Sequence, residues 1–224
     1  MIMIALSVNS IMPNITRDLE GEEEWADALI QRYEEEAPRT GNHVSDYTLC
    51  LLQSVLSREY APEWNLTTLF RFTLGKAFEK AFFNLIIPEA TEELEVVKDD
   101  IEGHIDFGHN PYDFECKFTS SWEKDDPNEF FEGKSYWLEQ GGAYAIMRDR
   151  RVSIFAVLHI LPIPHLVRYK IEWDRRELQD NWDRILARKK YVDKQLKAGK
   201  LPDPTPLNWL CNNCQVKYVC PKWR

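Results

Sequence analysis

Between residues 101 and 119 the chain reads Ile-Glu-Gly-His-Ile-Asp-Phe-Gly-His-Asn-Pro-Tyr-Asp-Phe-Glu-Cys-Lys-Phe-Thr, and this alternation narrows the local structure to one form. Ile101, Gly103, Ile105 and Phe107 alternate with Glu102, His104 and Asp106. Tyr112, Phe114, Cys116 and Phe118 alternate with Asp113, Glu115 and Lys117. A period of two is the mark of strands, and Gly108-His109-Asn110-Pro111 supplies turn residues between them, so the stretch is expected to be a β-hairpin. A four-residue loop puts Phe107 opposite Tyr112, Asp106 opposite Asp113 and His104 opposite Glu115. Asp106, Glu115 and Lys117 then share one face, with Asp106 and Glu115 as diagonal neighbours roughly 7–8 Å apart at the backbone. Two carboxylates leaning together from that distance can close on one hard dication, which takes oxygens at about 2.0–2.6 Å. A lysine on the same face supplies positive charge where a transition state gains negative charge. The competing reading is a solvated polar face with a Glu102–Lys117 cross-strand pair.

A chain of 224 residues with 44% apolar and 12% aromatic residues can bury one ordinary core. The net charge of −9 is unevenly spread. Residues 1–40 hold 3 Lys and Arg against 9 Asp and Glu, whereas residues 168–224 hold 14 against 7. Arg184, Arg188, Lys189, Lys190, Lys194, Lys197 and Lys200 dominate the basic part and could meet phosphates or simply line a solvated helix. The opening Met1–Leu6 run lacks preceding cations and is followed by Pro13 and an acidic stretch. Neither a signal peptide nor a membrane span is expected, and the reading is a cytoplasmic protein.

The order of elements follows from periodicity and punctuation. An acidic helix is expected from Asp18 to about Ala37, stopped by Pro38 and Gly41. A helix capped by Ser45 should run from Asp46 to about Tyr60 with Cys50 in its second turn, and another from Asn65 to Ile87, ended by Pro88. A strand near Leu94–Val97 leads into the hairpin. Asp125–Asn128 reads as a loop, and a helix from about Gly133 to Asp149 places Gln140 and Tyr144 on one face. Val152–Leu161 is apolar enough for a sheet centre, Leu166–Trp173 reads as an edge strand, and Asp174 can cap a long basic helix ending at Gly199. Pro202, Pro204 and Pro206 make an extended connection to the C-terminus.

Cys211, Cys214 and Cys220 lie within ten positions in a chain with five cysteines. Such grouping suits metal ligation better than disulfides. Cys50 is the candidate fourth ligand, because Cys116 alternates onto the apolar face behind the acids. Four thiolates hold either zinc or an iron–sulfur cluster, and spacing alone does not choose between them.

Taken together, Gly75-x-x-x-Glu79, Gly103-His-Ile-Asp106, Glu115-Cys-Lys117 and Gln140-x-x-x-Tyr144 resemble, in order, the motifs of PD-(D/E)XK nucleases of RecB type. Cys50 with Cys211, Cys214 and Cys220 resembles the iron–sulfur version of that core, seen in CRISPR-associated protein four and AddB-like nucleases. The resemblance runs from about His43 to Cys220. It implies an α/β fold, a restriction-endonuclease-like mixed sheet flanked by helices, with a Cys-ligated cluster joining an N-terminal helix to the C-terminus. It implies residues 41–224 as the nuclease domain, preceded by an acidic helical extension over 1–40. It also implies a 4Fe–4S cluster on Cys50, Cys211, Cys214 and Cys220, and Mg²⁺ or Mn²⁺ at Glu79, Asp106, Glu115 and the Cys116 carbonyl. Lys117 becomes the catalytic lysine, and Gln140 and Tyr144 become substrate-side residues.

The implied activity is DNA cleavage, an exonuclease on single-stranded or splayed DNA, in CRISPR spacer acquisition beside an integrase or in viral or mobile-element DNA processing. A homo-oligomer is compatible with this reading. The rival class is a catalytically weak DNA-binding or scaffold subunit that keeps the fold and cluster. Two departures from the family stand out: Glu79 occupies a position usually held by histidine, and Leu51-Leu52 stands where a basic pair usually follows the first cysteine.

Overall fold

Five strands form one sheet in sequence order: β1 (Thr91–Lys98), β2 (Ile101–His109), β3 (Tyr112–Thr119), β4 (Val152–His159) and β5 (His165–Glu172). The structure is a computed structural model and describes residues 19–34, 40–87, 89–205 and 208–223. Neighbouring strands are antiparallel except β3 and β4, which run parallel from Asp113↔Ser153 to Thr119↔His159. A parallel pair needs a long crossover. Here α5 (Pro127–Glu132) and α6 (Ser135–Met147) provide it. The remaining helices are α1 (Leu19–Glu34), α2 (Val44–Thr48), α3 (Leu51–Glu59), α4 (Leu66–Ile86), α7 (Arg175–Lys197) and α8 (Asn208–Asn212). The result is a mixed sheet flanked by helices, as expected. The chain divides into two compact units, Met1–Glu36, which contains α1, and Ala37–Arg224. The Met1–Leu6 run, Pro13, the limits of the acidic helix, Pro38, Pro88 and Pro206 lie outside the described residues.

The apolar residues sort into clusters that fix the sheet between helices. Ile101 and Ile105 of β2 pack with Val44, Tyr47, Val55, Tyr144, Trp182 and Ile185 from α2, α3, α6 and α7. Phe107, Phe114 and Ile154 pack with Phe82 of α4, and Phe107 stacks on Phe82 and Phe114 at 5.5 and 5.0 Å between ring centroids. Strand β4 is buried at five consecutive positions, Ser153–Val157, as its unbroken apolar sequence requires.

Three expectations change. The expected helix from Asp46 to Tyr60 is two helices, and Cys50 is the extended N-cap of α3 rather than a second-turn residue. Val44, Tyr47, Leu51 and Val55 keep a helical spacing across the break, so periodicity does not reveal it. The break is held by the Ser54 hydroxyl, which donates to the Asp46 carbonyl at 3.1 Å. Ser45 lies inside α2, and His43 is its N-cap, donating its backbone N–H to Asp46 at 2.9 Å. The expected loop at 125–128 starts a helix, because Asp126 accepts the Asn128 N–H at 2.9 Å and Pro127 fits the first turn. By contrast, Asp174 caps α7 as expected, accepting from Arg176 N–H while Glu177 accepts from the Asp174 N–H. Asp174→Ala should destabilise the protein by about 1 kcal/mol, read from the shift in the urea midpoint; no shift would show that tertiary packing alone holds the helix start.

Candidate active site

The hairpin turns through two residues, Asn110 and Pro111, not four, and Gly108 and His109 extend β2. Pairing is Phe107↔Phe114, Gly108↔Asp113 and His109↔Tyr112. Continued one step, this register would face Asp106 with Glu115 in place of the expected diagonal. The ladder between β2 and β3 stops at Phe107↔Phe114. Immediately beyond it, Asp106 Oδ2 accepts the backbone N–H of Cys116 at 2.6 Å. A side-chain carboxylate therefore takes over a strand donor where the two strands part, and the opening between them holds the polar residues.

Glu115 is 3% exposed and Lys117 lies beside it, with Nζ donating to Glu115 Oε2 at 2.7 Å and to Gln140 Oε1 at 3.2 Å. Gln140 Nε2 donates to the Tyr144 hydroxyl at 2.9 Å. Gln140 and Tyr144 are one turn apart on α6, and α6 reaches the sheet because Gly141 faces Phe155. A β-carbon at 141 would stand 2.6 Å from the Phe155 ring. Glu115, Lys117, Gln140 and Tyr144 thus form one hydrogen-bonded chain drawn from β3 and α6, and Asp106 of β2 meets β3 through the Cys116 N–H.

The electrostatics leave this set short of positive charge. Burial pushes Glu115 up to about 8, and Asp106 adds to the shift while Lys117 opposes it. Burial likewise raises Asp106, against the pull of Lys117 and the Cys116 N–H. Lys117 is raised: desolvation works the other way, but Glu115 and Asp106 outweigh it. Burial and the nearby Glu115 raise Tyr144, so its hydroxyl stays a donor. Glu115 Oε1 is buried with no hydrogen-bond partner. An orphaned carboxylate oxygen next to a second carboxylate is a donor set that fits a divalent cation.

A stability test follows. Without divalent ions the folded protein binds more protons at Glu115 than the unfolded chain between about pH 4.5 and pH 8. The Glu115 contribution to stability should therefore be fully present below that window and be lost as pH rises through it, by several kcal/mol at most. Glu115→Gln should flatten the fall, and added Mg²⁺ should offset it. A urea series in EDTA showing equal pH dependence for both proteins would refute the strain at Glu115.

Glu79 lies on α4, and its charge is among those that raise Glu115 and Cys116. Gly75 is not what brings α4 close, because a β-carbon there would meet nothing within 4 Å. The contact comes instead from Phe78, Phe82 and Phe83 on the sheet. The side chain of Cys116 packs among these phenylalanines, as its alternation requires.

Part of the basic charge on α7 is spent inside the molecule. Arg188 donates to the Tyr47 carbonyl at 2.8 Å and to Glu139 at 2.6 Å, and Lys189 pairs with Asp193 and Asp100. Lys190, Lys194, Lys197 and Lys200 remain exposed.

Cys50, Cys211, Cys214 and Cys220 line one pocket walled by Leu52 and Val216. All are free thiols. The C-terminal turns dock beside α3 through Glu63 N–H to the Gln215 carbonyl and the Tyr218 hydroxyl to the Ala61 carbonyl, each 2.8 Å. Burial raises the Cys214 thiol, and the other three thiols push it the same way. Among the described residues, no three of these sulfurs lie within 4.8 Å of one another. Tetrahedral zinc with bonds of about 2.3 Å would need neighbouring sulfurs about 3.8 Å apart.

The sheet and its crossover helices define an α/β protein with a five-stranded mixed sheet flanked by helices. Solved structures sharing that fold include an alkaline exonuclease from Laribacter hongkongensis, with a TM-score of 0.54 and 13% identity over 79% of this chain and 95% of the other. A phage-related exonuclease from Haemophilus somnus has a TM-score of 0.52 and 14% identity, covering 67% of this chain and 81% of the other. The protein SSO0001 has a TM-score of 0.53 and 15% identity over 92% and 98% of the two chains. No family model and no curated protein matches the sequence. Among the described residues no helix is long and apolar enough to cross a membrane.

Proposed function

We propose that this protein is a metal-dependent DNA nuclease of the PD-(D/E)XK type, acting as an exonuclease on single-stranded or splayed DNA. The observation that carries the reading is the buried Glu115–Lys117 ion pair together with the Asp106 carboxylate, which takes the Cys116 N–H where β2 and β3 part. Asp106 and Glu115 would hold Mg²⁺ or Mn²⁺, with Glu79 and the Cys116 carbonyl as further oxygens, and the ion supplies Lewis-acid chemistry at a phosphodiester. Lys117 keeps its proton and places an ammonium where the attacked phosphoryl group gains charge. Gln140 fixes that ammonium through its side-chain oxygen, and the Tyr144 hydroxyl fixes Gln140. The exposed lysines of α7 supply sequence-independent phosphate contacts. The exonucleases that share the fold support the DNA substrate.

We also infer a 4Fe–4S cluster on Cys50, Cys211, Cys214 and Cys220. Four thiols lining one apolar pocket, with the C-terminal turns docked beside α3, support a four-thiolate group at this place.

The direct test is digestion of end-labelled single- and double-stranded DNA with Mg²⁺ or Mn²⁺ and with EDTA. Metal-dependent shortening from an end is expected; intact DNA under every condition would refute the nuclease. In the same assay Glu79→Gln should slow cleavage at least tenfold, a loss of about 1.4 kcal/mol in transition-state stabilisation. High metal should restore part of the rate, and an unchanged rate and metal dependence would remove Glu79 from the site.

A further inference from the structure

The loop that enters α2 and the strand that carries Asp106 meet in a second group of metal-type donors. The ligand atoms of His43, Glu102 and His104 all lie within 4.8 Å of one another. The two imidazole centroids are 5.5 Å apart, and Glu102 Oε2 stands 3.7 Å from His43 Nε2. The loop is set against the strand by backbone: Glu102 N–H donates to the Asn42 carbonyl at 2.7 Å, and His43 forms a parallel bridge with Glu102.

The buried imidazole of His43 points to a ligand, and the loop before it runs close to the Glu102 carboxylate. His43 is 4% exposed, with Nε2 against the Thr40 carbonyl at 2.5 Å and Nδ1 buried without a hydrogen-bond partner. With its proton on Nε2, the neutral ring leaves a desolvated lone pair on Nδ1. With the proton on Nδ1, the ring orphans that donor and turns a lone pair toward the carbonyl. Either tautomer leaves one nitrogen unmet, which buried polar groups rarely tolerate. Separately, Gly41 has φ of +89° and lies so close to Glu102 that a β-carbon would stand 2.8 Å from its Oε1.

We propose that His43, Glu102 and His104 form a divalent transition-metal site, distinct from the Asp106–Glu115 pair, that staples the loop before α2 to β2. Two imidazoles and one carboxylate are a zinc-type donor set, whereas all-oxygen groups suit Mg²⁺ and Mn²⁺. Glu93 lies 3.4 Å from His104 and can serve as an outer acceptor for its ring. The staple joins the segment leading to Cys50 with the strand bearing Asp106. Bound metal would stabilise the fold by mass action without taking part in cleavage.

The test is Zn²⁺ binding to full-length protein, read by bound zinc per chain after gel filtration and by the zinc-induced rise in melting temperature. Wild type, His104→Ala, Glu102→Gln and Asp106→Asn are compared. His104→Ala and Glu102→Gln should each lose one zinc equivalent, or bind it at least tenfold more weakly, and lose the thermal shift. Asp106→Asn should keep both. Glu102→Gln is isosteric, so it carries the test even if His104→Ala folds poorly. Equal zinc binding by wild type and Glu102→Gln would overturn the site, as would loss of that zinc in Asp106→Asn, which would assign it to the carboxylate pair. Neither outcome depends on whether the protein cleaves DNA.

Discussion

Asp106→Asn and Lys117→Ala should each reduce DNA cleavage at least a thousandfold, equivalent to about 4 kcal/mol of transition-state stabilisation, while affinity for single-stranded DNA stays within a few-fold. The asymmetry follows from where the groups sit. Asp106 holds the Cys116 N–H and Lys117 pairs with buried Glu115 at the opening between β2 and β3, whereas most strand affinity comes from exposed phosphate contacts. Asparagine keeps an oxygen for the Cys116 N–H, so the strand contact survives and the charge alone is removed. Lys117→Ala also leaves Glu115 Oε2 without its partner, so thermal melting of the variant must accompany the kinetics. The measurements are single-turnover digestion of end-labelled strands and fluorescence anisotropy without metal. Substantial cleavage by purified Asp106→Asn would exclude this hairpin as the active site.

Serine at Cys50, Cys211, Cys214 or Cys220 should remove iron and brown colour from anaerobically purified protein and lower its melting temperature. A cluster on these thiols would join α3 to the last turns of the chain, closing a loop of about 160 residues whose freedom would otherwise have to be lost on folding. Cys116→Ser should keep its colour, because that side chain packs with the phenylalanines of α4 and the sheet. Iron content and the visible spectrum of all five variants decide the matter. Colour lost in Cys116→Ser and kept in Cys50→Ser would reverse the choice of fourth ligand.

Alternation in the sequence was sufficient to show the hairpin and to place Asp106, Glu115 and Lys117 on one face, because side-chain direction in a strand depends only on parity. It did not show the register. Gly108 and His109 fall in the expected turn, yet here they pair with Asp113 and Tyr112, a two-residue shift of the strand register. The helical spacing of Val44, Tyr47, Leu51 and Val55 likewise hid a break, since packing keeps those residues on one side whether or not the helix is continuous.

What the sequence determined alone was local: strand parity, the apolar centre of β4, the Asp174 cap and the grouping of three cysteines. Contacts between distant segments were decided only by the tertiary structure. Gln140 reaches Lys117 because Gly141 lets α6 approach Phe155. Cys50 meets the C-terminal thiols because the last turns dock beside α3. His43 had no periodic signal of its own, and only the bridge from its loop to Glu102 brings it to His104. Local preferences act over a few residues and can be read from their order, whereas a site assembled across the chain depends on which surfaces bury one another, a property of the packed whole.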